Sequence, residues 1–191
     1  MVQIRERDLE AGTLARLVSE IVAMARGSRS RVVVNDRLDV ALACGAAGVH
    51  LRGDSMPPAA ARSIAPRGFL VGRSVHAPAE AATCQADVDY LIAGTVWPTE
   101  SKPAGPLDPP PLGPEGLAAI TRAAGVPVLA VGGVTLDRLP WVAAAGAAGV
   151  AAIGLFMGPK ADPGPDRCRA IALLETVRTA RVRFDTSERA S

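Results

Sequence analysis

Three long polar side chains recur at every second position near the start of the chain. Gln3, Arg5 and Arg7 stand two residues apart, and the two-residue period of a β-strand puts all three on one face. A guanidinium group on an enclosed face requires an anion, so this spacing predicts a phosphate or a carboxylate nearby. The alternative is that Arg5 and Arg7 form ion pairs with Asp8 or Asp36.

Two acidic positions follow apolar segments further along the chain. Asn35 and Asp36 end the run Val32–Val34, and a carboxylate there could hold Mg²⁺ beside a phosphate. Asp54 and Ser55 occupy a comparable place after the next apolar run. For both acidic residues the alternative is a helix N-cap, in which Asp is far more common than as a metal ligand.

His76 is the residue whose chemistry fits proton transfer. It shares strand parity with Ser74, so both side chains point the same way, and a neutral imidazole can exchange protons near pH 7. A purely structural role for His76 is the alternative. The other histidine, His50, lies between Val49 and Leu51 and is predicted to be structural.

Phosphate-binding chemistry is indicated in two places. The proline-rich segment from Gly94 to Leu117 is typical of a lid or binding loop. Lys102, between the hydroxyls of the nearby Thr99 and Ser101, could grip phosphate oxygens there, although an exposed loop lysine is the alternative. Further on, Gly132 and Gly133 indicate exposed N–H groups ahead of a helix, which suit a phosphate monoester.

Seven apolar, β-branched runs alternate with alanine-rich helical patterns, which indicates β-α units and a parallel sheet with both faces covered. The predicted strands are Val2–Arg5, Arg31–Val34, Gly48–Leu51, Phe69–Gly72, Tyr90–Ala93, Val126–Val131 and Val150–Ile153. This pattern fits either an open doubly wound sheet or a closed barrel.

The glycines favour the barrel. No Gly-x-Gly-x-x-Gly follows the first strand, whereas Gly132, Gly133 and Gly154 end the last two, where a barrel places its phosphate site. The sequence therefore predicts an α/β fold of the TIM (β/α)8 type with seven strands visible and the first β-α unit lacking. One domain over residues 1–180 and a polar tail over 181–191 are expected.

Length and composition exclude several classes of protein. The chain has 191 residues, 49% of them hydrophobic, which suits one soluble domain, and its longest apolar stretch is too interrupted for a membrane span. The 21 basic and 19 acidic residues are spread along the chain, and 3% aromatic residues disfavour a nucleic-acid partner. With no signal-peptide pattern and an odd number of cysteines, a cytoplasmic location is expected.

Six short motifs, taken together and in order, resemble those of the thiamine-phosphate synthase and TenI family, a barrel family of thiamine biosynthesis. They are VQIRER at Val2–Arg7, VNDR at Val34–Arg37, GVHL at Gly48–Leu51, GRSVH at Gly72–His76, PTESKP at Pro98–Pro103 and VGGVT at Val131–Thr135. The resemblance runs from about Val2 to Phe156.

In the synthases of that family, an aminopyrimidine diphosphate loses pyrophosphate with the help of Mg²⁺, and the nitrogen of a thiazole phosphate captures the resulting cation. The resemblance implies that Asp36 holds the metal, with Asp54 as a second candidate, and that Ser74 contacts the pyrimidine or the pyrophosphate. It also implies diphosphate contacts for Gln3, Arg5, Arg7, Asn35 and Lys102, and thiazole phosphate contacts for Thr99, Ser101 and Gly133. The barrel pattern adds Gly132 and Gly154 as substrate-binding residues in the final loops.

One departure from the family pattern, together with the motif at Gly72–His76, favours a TenI-like member. Ser55 stands where synthases carry their second metal-binding Asp. Arg7, in place of the usual Lys, is a further departure that keeps the charge but not the shape. The favoured hypothesis is therefore a tautomerase-type proton transfer on thiazole phosphate that needs no cofactor, with His76, Lys102 and Arg5 as catalytic residues. A Mg²⁺-dependent synthase and a catalytically silent binding or regulatory relative are the alternatives. Expected partners are small phosphorylated heterocycles and a second copy in a homodimer, with no nucleic acid and no membrane.

Overall fold

A computed structural model describes residues 1–99, 109–157, 173–182 and 184 of the chain. In these ranges the strands are β1 (Val2–Ile4), β2 (Val32–Asn35), β3 (Gly48–Leu51), β4 (Leu70–Val75), β5 (Tyr90–Ala93), β6 (Val128–Val131) and β7 (Gly149–Ala151). The helices are α1 (Ala11–Ala25), α2 (Leu38–Ala43), α3 (Pro58–Ile64), α4 (Pro78–Cys84), α5 (Gly113–Ala123), α6 (Leu139–Ala144) and α7 (Gly154–Met157). Two 3-10 turns lie at Gln85–Asp87 and Leu136–Arg138, and a helical segment occupies 173–182.

The strands form one sheet in which each strand neighbours the next one in sequence, from β1 to β7. The pairs β1–β2, β2–β3, β3–β4 and β6–β7 are parallel. Parallel neighbours require a crossover connection, which the intervening helices provide, and their carboxyl ends share one edge of the sheet. The predicted α/β class and the predicted strand count are therefore confirmed for the described residues.

The chain divides into two compact units. Met1–Val75 and Thr83–Leu91 form the first unit, and His76–Ala82 belongs to the second together with the described residues from Ile92 onward. The expectation of one domain over residues 1–180 stays a prediction.

The core of the first unit centres on β2 and β3. Val32, Val33 and Val34 are at most 3% exposed, and β3 is buried over its whole length. Strands covered on both faces read as continuous apolar runs, which explains why these segments show no polar alternation. Helix α1 adds Leu14 and Val18, which lie four residues apart on one face.

Helix α1 begins where a side chain satisfies its first backbone donors. The carboxylate of Glu10 accepts hydrogen bonds from the N–H groups of Gly12 at 2.9 Å and Thr13 at 3.4 Å. An acceptor at this position replaces the carbonyl partners that the first turn of a helix lacks, and its charge complements the helix dipole.

No helix in the described ranges combines the length and apolar character needed to cross a membrane.

The second unit has a small apolar cluster beside the end of β6. Its buried members are Val134, Leu139 and Ala180, against which Trp97, Leu136 and Val150 pack. Helix α5 adds Leu117 and Ile120, spaced three residues apart on its buried face. The cluster fixes the chain that follows Gly133, and it also fixes the residue Trp97 after β5.

Candidate functional site

The carboxyl ends of β1 and β2 bring two amides together in the first unit. The parallel register aligns Ile4 with Val34, and Gln3 Nε2 donates a hydrogen bond to Asn35 Oδ1 at 3.1 Å. Both side chains are half-buried. The sequence placed these two residues at one site, and the structure joins them directly.

A cluster of three guanidinium groups lies at the same edge of the sheet. Burial, and after it the charges of Arg7 and Arg52, lowers the pKa of Arg5. Arg5 and Arg7 are exposed, so the expectation of an enclosed face is wrong. In the described part of the chain Asp36 forms its ion pair with Arg52, at 3.7 Å, instead of with Arg5 or Arg7. The cluster thus concentrates positive charge where solvent and a ligand can reach it.

Asp36 holds an unusual backbone conformation directly after β2. Its φ is +65°, a left-handed value that Asp and Asn tolerate better than most side chains. Ser55 Oγ donates a hydrogen bond to Asp36 Oδ1. The N-cap of α2 is Arg37, with no side-chain cap bond, so the helix-cap alternative for Asp36 is wrong. The carboxylate is instead held at the end of the strand.

Asp54 shares the arginine partner of Asp36 but not its hydroxyl partner. Its carboxylate pairs with Arg52, and its side chain is 69% exposed. Arg52 therefore contacts both carboxylates, and the group beside Asp36 is the hydroxyl of Ser55.

The donors around Asp36 suit a hard divalent cation. Mg²⁺ prefers oxygen ligands and is usually held by one or two carboxylates together with substrate phosphates and water. The Asp36 carboxylate and the Ser55 hydroxyl fit such a partial set, which a phosphate-bearing substrate would complete. No group of three or more His, Cys, Asp or Glu side chains with metal-ligand spacing occurs within the described ranges.

Ser74 is linked to a buried histidine. Ser74 lies within β4, which extends past the predicted end at Gly72, and its Oγ is 2.9 Å from Nε2 of His50. His50 is only 2% exposed, and its ring stacks on Tyr90 with 5.6 Å between ring centroids. The prediction that His50 is structural misses this direct contact with a proposed substrate-binding hydroxyl.

The surroundings of the stacked His50 and Tyr90 rings keep both rings uncharged. Burial, and then the charge of Arg5, lowers the pKa of His50 from 6.5 to about 4. Burial, and then the charge of Asp89, raises the pKa of Tyr90. Among the residues that the structure describes, Nδ1 of His50 and the hydroxyl of Tyr90 are buried and meet no hydrogen-bond partner. A neutral His50 can either accept a hydrogen bond from the Ser74 hydroxyl or donate one to its oxygen, depending on which ring nitrogen carries the proton.

In the second unit, His76 contacts the main chain after β5. Its Nδ1 lies against the carbonyl oxygen of Gly94, and its backbone N–H donates to the Glu80 carboxylate at 2.9 Å. A carbonyl oxygen only accepts, so Nδ1 carries the proton of this contact. In the neutral ring, Nε2 is then left with a lone pair. The side chain is exposed.

The glycine pair after β6 is folded closely against the segment that follows β5. The carbonyl of Val131 accepts from the N–H of Val96 at 2.9 Å, and the carbonyl of Gly132 accepts from that of Trp97 at 3.1 Å. Gly132 and Gly133 have φ values of +95° and +62°. A Cβ on Gly133 would lie 2.7 Å from that of Trp97, so both conformation and space require glycine there.

The remaining predicted residues lie apart from these contacts or outside the described ranges. Gly154 begins α7 and is exposed. Thr99 is half-buried at the end of the described part of its loop. Ser101 and Lys102 lie outside the described residues.

The sequence did not point to three residues that make contacts at these sites, namely Arg52, Arg138 and Trp97. Arg52 contacts Asp36, and Arg138 donates to the carbonyl of Gly133 while lying over the ring of Trp97. Arg52 could have been found from strand parity, because it follows His50 by two residues. No pattern in the sequence brings Arg138 to Trp97, because the two residues are 41 positions apart on different elements.

Comparisons with known proteins agree with the motifs. The family model described as thiamine monophosphate synthase matches residues 1–156. A thiamine-phosphate synthase of Anaeromyxobacter dehalogenans is 40% identical over 181 residues, covering 94% of this chain and 79% of that protein. One of Methanospirillum hungatei is 40% identical over 155 residues, covering 80% and 73%.

A solved structure agrees as well. The thiamine phosphate pyrophosphorylase of Pyrococcus furiosus matches with a TM-score of 0.78 and 28% identity, covering 97% of this chain and 82% of that one. The likeness confirms the predicted α/β fold of the TIM type. The synthase names of these relatives support the synthase alternative better than the tautomerase hypothesis. The chain belongs to the thiamine monophosphate synthase family of enzymes.

Proposed function

We propose that this chain is a thiamine-phosphate synthase. In the reaction, the bond between carbon and the diphosphate oxygen of an aminopyrimidine diphosphate breaks, pyrophosphate leaves with the electron pair, and the nitrogen of a thiazole phosphate bonds to that carbon. The observation that carries this proposal is the cluster of Arg5, Arg7 and Arg52 beside the Asp36 carboxylate. A tautomerase has no diphosphate to bind and gives this cluster no task.

The guanidinium cluster suits a leaving group that gains negative charge as its bond breaks. Guanidinium groups bind phosphate oxygens through paired N–H donors, and the attraction grows as charge moves onto pyrophosphate. Partial burial, and after it repulsion by the charges of Arg7 and Arg52, lowers the pKa of Arg5. An anion among them would relieve that repulsion.

Asp36 and Ser55 would hold Mg²⁺ beside the diphosphate. When bound, this cation supplies positive charge that stabilises the leaving pyrophosphate. Asp36 contributes a carboxylate at a fixed position, and Ser55 contributes a neutral oxygen in place of the family's second carboxylate. With one carboxylate fewer, the substrate phosphates must supply more of the ligands, so Mg²⁺ is expected to bind mainly with the diphosphate.

The remaining contacts in the first unit suit recognition of the pyrimidine. The Gln3 and Asn35 amides are joined at 3.1 Å, and both donors and acceptors remain on these groups for a heterocycle. Ser74, held by the neutral His50, offers a hydroxyl of defined orientation. In the second unit, the Gly132–Gly133 pair would bind the phosphate of the thiazole substrate through backbone N–H groups.

A tautomerase remains the second candidate, and one observation favours it. The contact of His76 Nδ1 with the Gly94 carbonyl leaves Nε2 able to take a proton. His76 would then remove a proton from the thiazole ring at one carbon and return it at another. No step of this reaction uses the Arg5, Arg7 and Arg52 cluster.

The test incubates the protein with aminopyrimidine diphosphate, thiazole phosphate and Mg²⁺, and measures pyrophosphate and thiamine phosphate together. Equal amounts of the two products are expected. Asp36→Asn should lower turnover about 100-fold, because the metal and the leaving charge lose their carboxylate. Asn keeps the side-chain shape and tolerates the same left-handed backbone, so folding should be preserved.

Asp39→Asn is the matched control for the variant at Asp36. Asp39 lies three residues further on, is exposed, and pairs with Arg37 at 2.7 Å. This variant should retain turnover. If no pyrophosphate forms while thiazole carboxylate phosphate is isomerised, the synthase proposal is wrong and the tautomerase is supported. Binding of thiazole phosphate without either turnover would instead support the silent binding relative.

A further inference from the structure

Arg138 joins two features of the second unit that lie apart in sequence. It ends the 3-10 turn Leu136–Arg138, and its Nη1 donates a hydrogen bond to the carbonyl of Gly133 at 2.5 Å. The same guanidinium lies over the ring of Trp97, with 5.1 Å between its central carbon and the ring centroid. This geometry is a cation–π contact, which a planar guanidinium makes especially well.

Arg138 and Trp97 together hold two consecutive carbonyl groups. The backbone N–H of Trp97 binds the carbonyl of Gly132 at 3.1 Å, and Arg138 binds the next carbonyl, that of Gly133. A peptide unit is planar and trans, so its N–H points away from its C=O. Fixing these carbonyls therefore turns the N–H groups of Gly133 and Val134 to the side away from Trp97 and Arg138.

Glycines at positive φ are free to adopt other conformations when nothing restrains them. Gly132 and Gly133 both have positive φ, so the direction of their N–H groups depends on the contacts made by their carbonyls. Trp97 restrains this segment through its main chain, and its ring restrains Arg138. Removing either partner should leave the glycine pair intact but less ordered.

We propose that Arg138, stacked on Trp97, is a positioning residue that orients the Gly132–Gly133 segment for binding a phosphate monoester. The proposal rests on the proposed function, in which this segment binds the phosphate of the thiazole substrate. Arg138 acts through the Gly133 carbonyl. Its effect should therefore depend on the phosphate of the ligand and on the planar shape of the guanidinium, rather than on charge alone.

The test compares thiazole phosphate with the unphosphorylated thiazole alcohol by titration calorimetry. Arg138→Ala should raise the Kd for thiazole phosphate about tenfold, the factor that corresponds to one charge-assisted hydrogen bond. The Kd for the alcohol should stay unchanged. In the full reaction KM for thiazole phosphate should rise while kcat at saturation holds. Equal weakening of both ligands, or weakening of neither, would overturn the proposal.

Two variants separate positioning from simple attraction. Arg138→Lys keeps the positive charge but loses the planar donor fork, so it should bind thiazole phosphate as weakly as Arg138→Ala. Trp97→Leu should weaken the same ligand, and the double variant should be no weaker than Arg138→Ala alone, because both changes act on one segment. Full affinity in Arg138→Lys, or additive losses in the double variant, would refute the positioning role.

Arg122→Ala is the matched control for charge. Arg122 is exposed in the last turn of α5 in the same unit, and its removal changes the net charge equally. Thiazole phosphate should bind this variant normally. A loss as large as that of Arg138→Ala would mean that the net charge of the unit, and not the position of Arg138, sets the affinity.

A second measurement keeps this inference distinguishable from the proposed function. Inorganic phosphate titrated into ¹⁵N-labelled protein should shift the amide resonances of Gly133 and Val134 in the wild type and leave them unshifted in Arg138→Ala. That result would support the inference even if the wild type formed no thiamine phosphate. Equal shifts in both proteins, or none in the wild type, would overturn it.

Discussion

Acidification should destabilise this protein through one buried histidine. Burial and the charge of Arg5 lower the pKa of His50 from 6.5 to about 4. An unfolded His50 binds its proton near pH 6.5, whereas the folded protein resists binding one until about pH 4. Between these values the unfolded state carries more protons, so the free energy of unfolding rises with pH. The stabilisation is complete above pH 6.5 and is lost as the pH falls towards 4.

The size of the effect follows from the width of this window. Each pKa unit is worth about 1.4 kcal/mol, so the full window corresponds to roughly 3 kcal/mol. Between pH 7 and pH 5, before most carboxylates titrate, the linkage gives a loss of about 2 kcal/mol in the free energy of unfolding. That is a large part of the net stability of an ordinary domain, about 5–15 kcal/mol.

The assay is urea denaturation from pH 7 to pH 5 for the wild type and His50→Gln. The amide of Gln reaches towards Ser74 as Nε2 does but does not titrate, so the variant should lose about 2 kcal/mol less than the wild type over this range. His76→Gln, at the exposed histidine, is measured alongside as the control for the loss of one imidazole. Parallel pH curves for wild type and His50→Gln would refute the assignment of the pH dependence to His50.

Two further predictions concern carboxylates in the first unit. Ser55→Asp would place a second carboxylate beside that of Asp36, and the two charges, some 4 Å apart, should repel each other by about 1–4 kcal/mol. The urea concentration at the unfolding midpoint should therefore fall without Mg²⁺ and recover when Mg²⁺ is added. A midpoint that does not change with Mg²⁺ would contradict the metal assignment. Asp89→Ala removes the carboxylate that accepts hydrogen bonds from the Val71 N–H and from Arg62, both at 2.7 Å. The free energy of unfolding, measured by urea denaturation, should fall by about 1–3 kcal/mol. An unchanged value would show that water replaces these hydrogen bonds.

The strands were predictable because their chemistry is local. Runs such as Val32–Val34 are apolar on both faces, and only a covered parallel sheet accommodates them. Gln3 and Asn35 were placed at one site because parallel strands bring their carboxyl ends to one edge. The extension of β4 to Val75 was missed, because the polar residues Arg73 and Ser74 look like the end of an apolar strand. They instead continue the strand towards its carboxyl end, where polar side chains belong to the site.

The partners of the site residues were harder to foresee than their positions. The sequence left Asp36 between a helix cap and a metal ligand, and only the folded structure shows that the Ser55 hydroxyl binds its carboxylate. The expected enclosure of Arg5 failed because exposure depends on what lies above a strand end, which strand parity does not report. The contact between Arg138 and Trp97 likewise depends on how distant segments fold together, which local sequence patterns do not report.

The left-handed backbone at Asp36 limits how this position can change over evolutionary time. Glycine, asparagine and aspartate are the residues that adopt such a conformation at low cost, whereas β-branched side chains are strongly disfavoured. Single-base changes of an Asp codon reach both Asn and Gly. A duplicated copy released from selection could thus lose its carboxylate and still fold, so descendants that bind without turnover are readily accessible from this sequence.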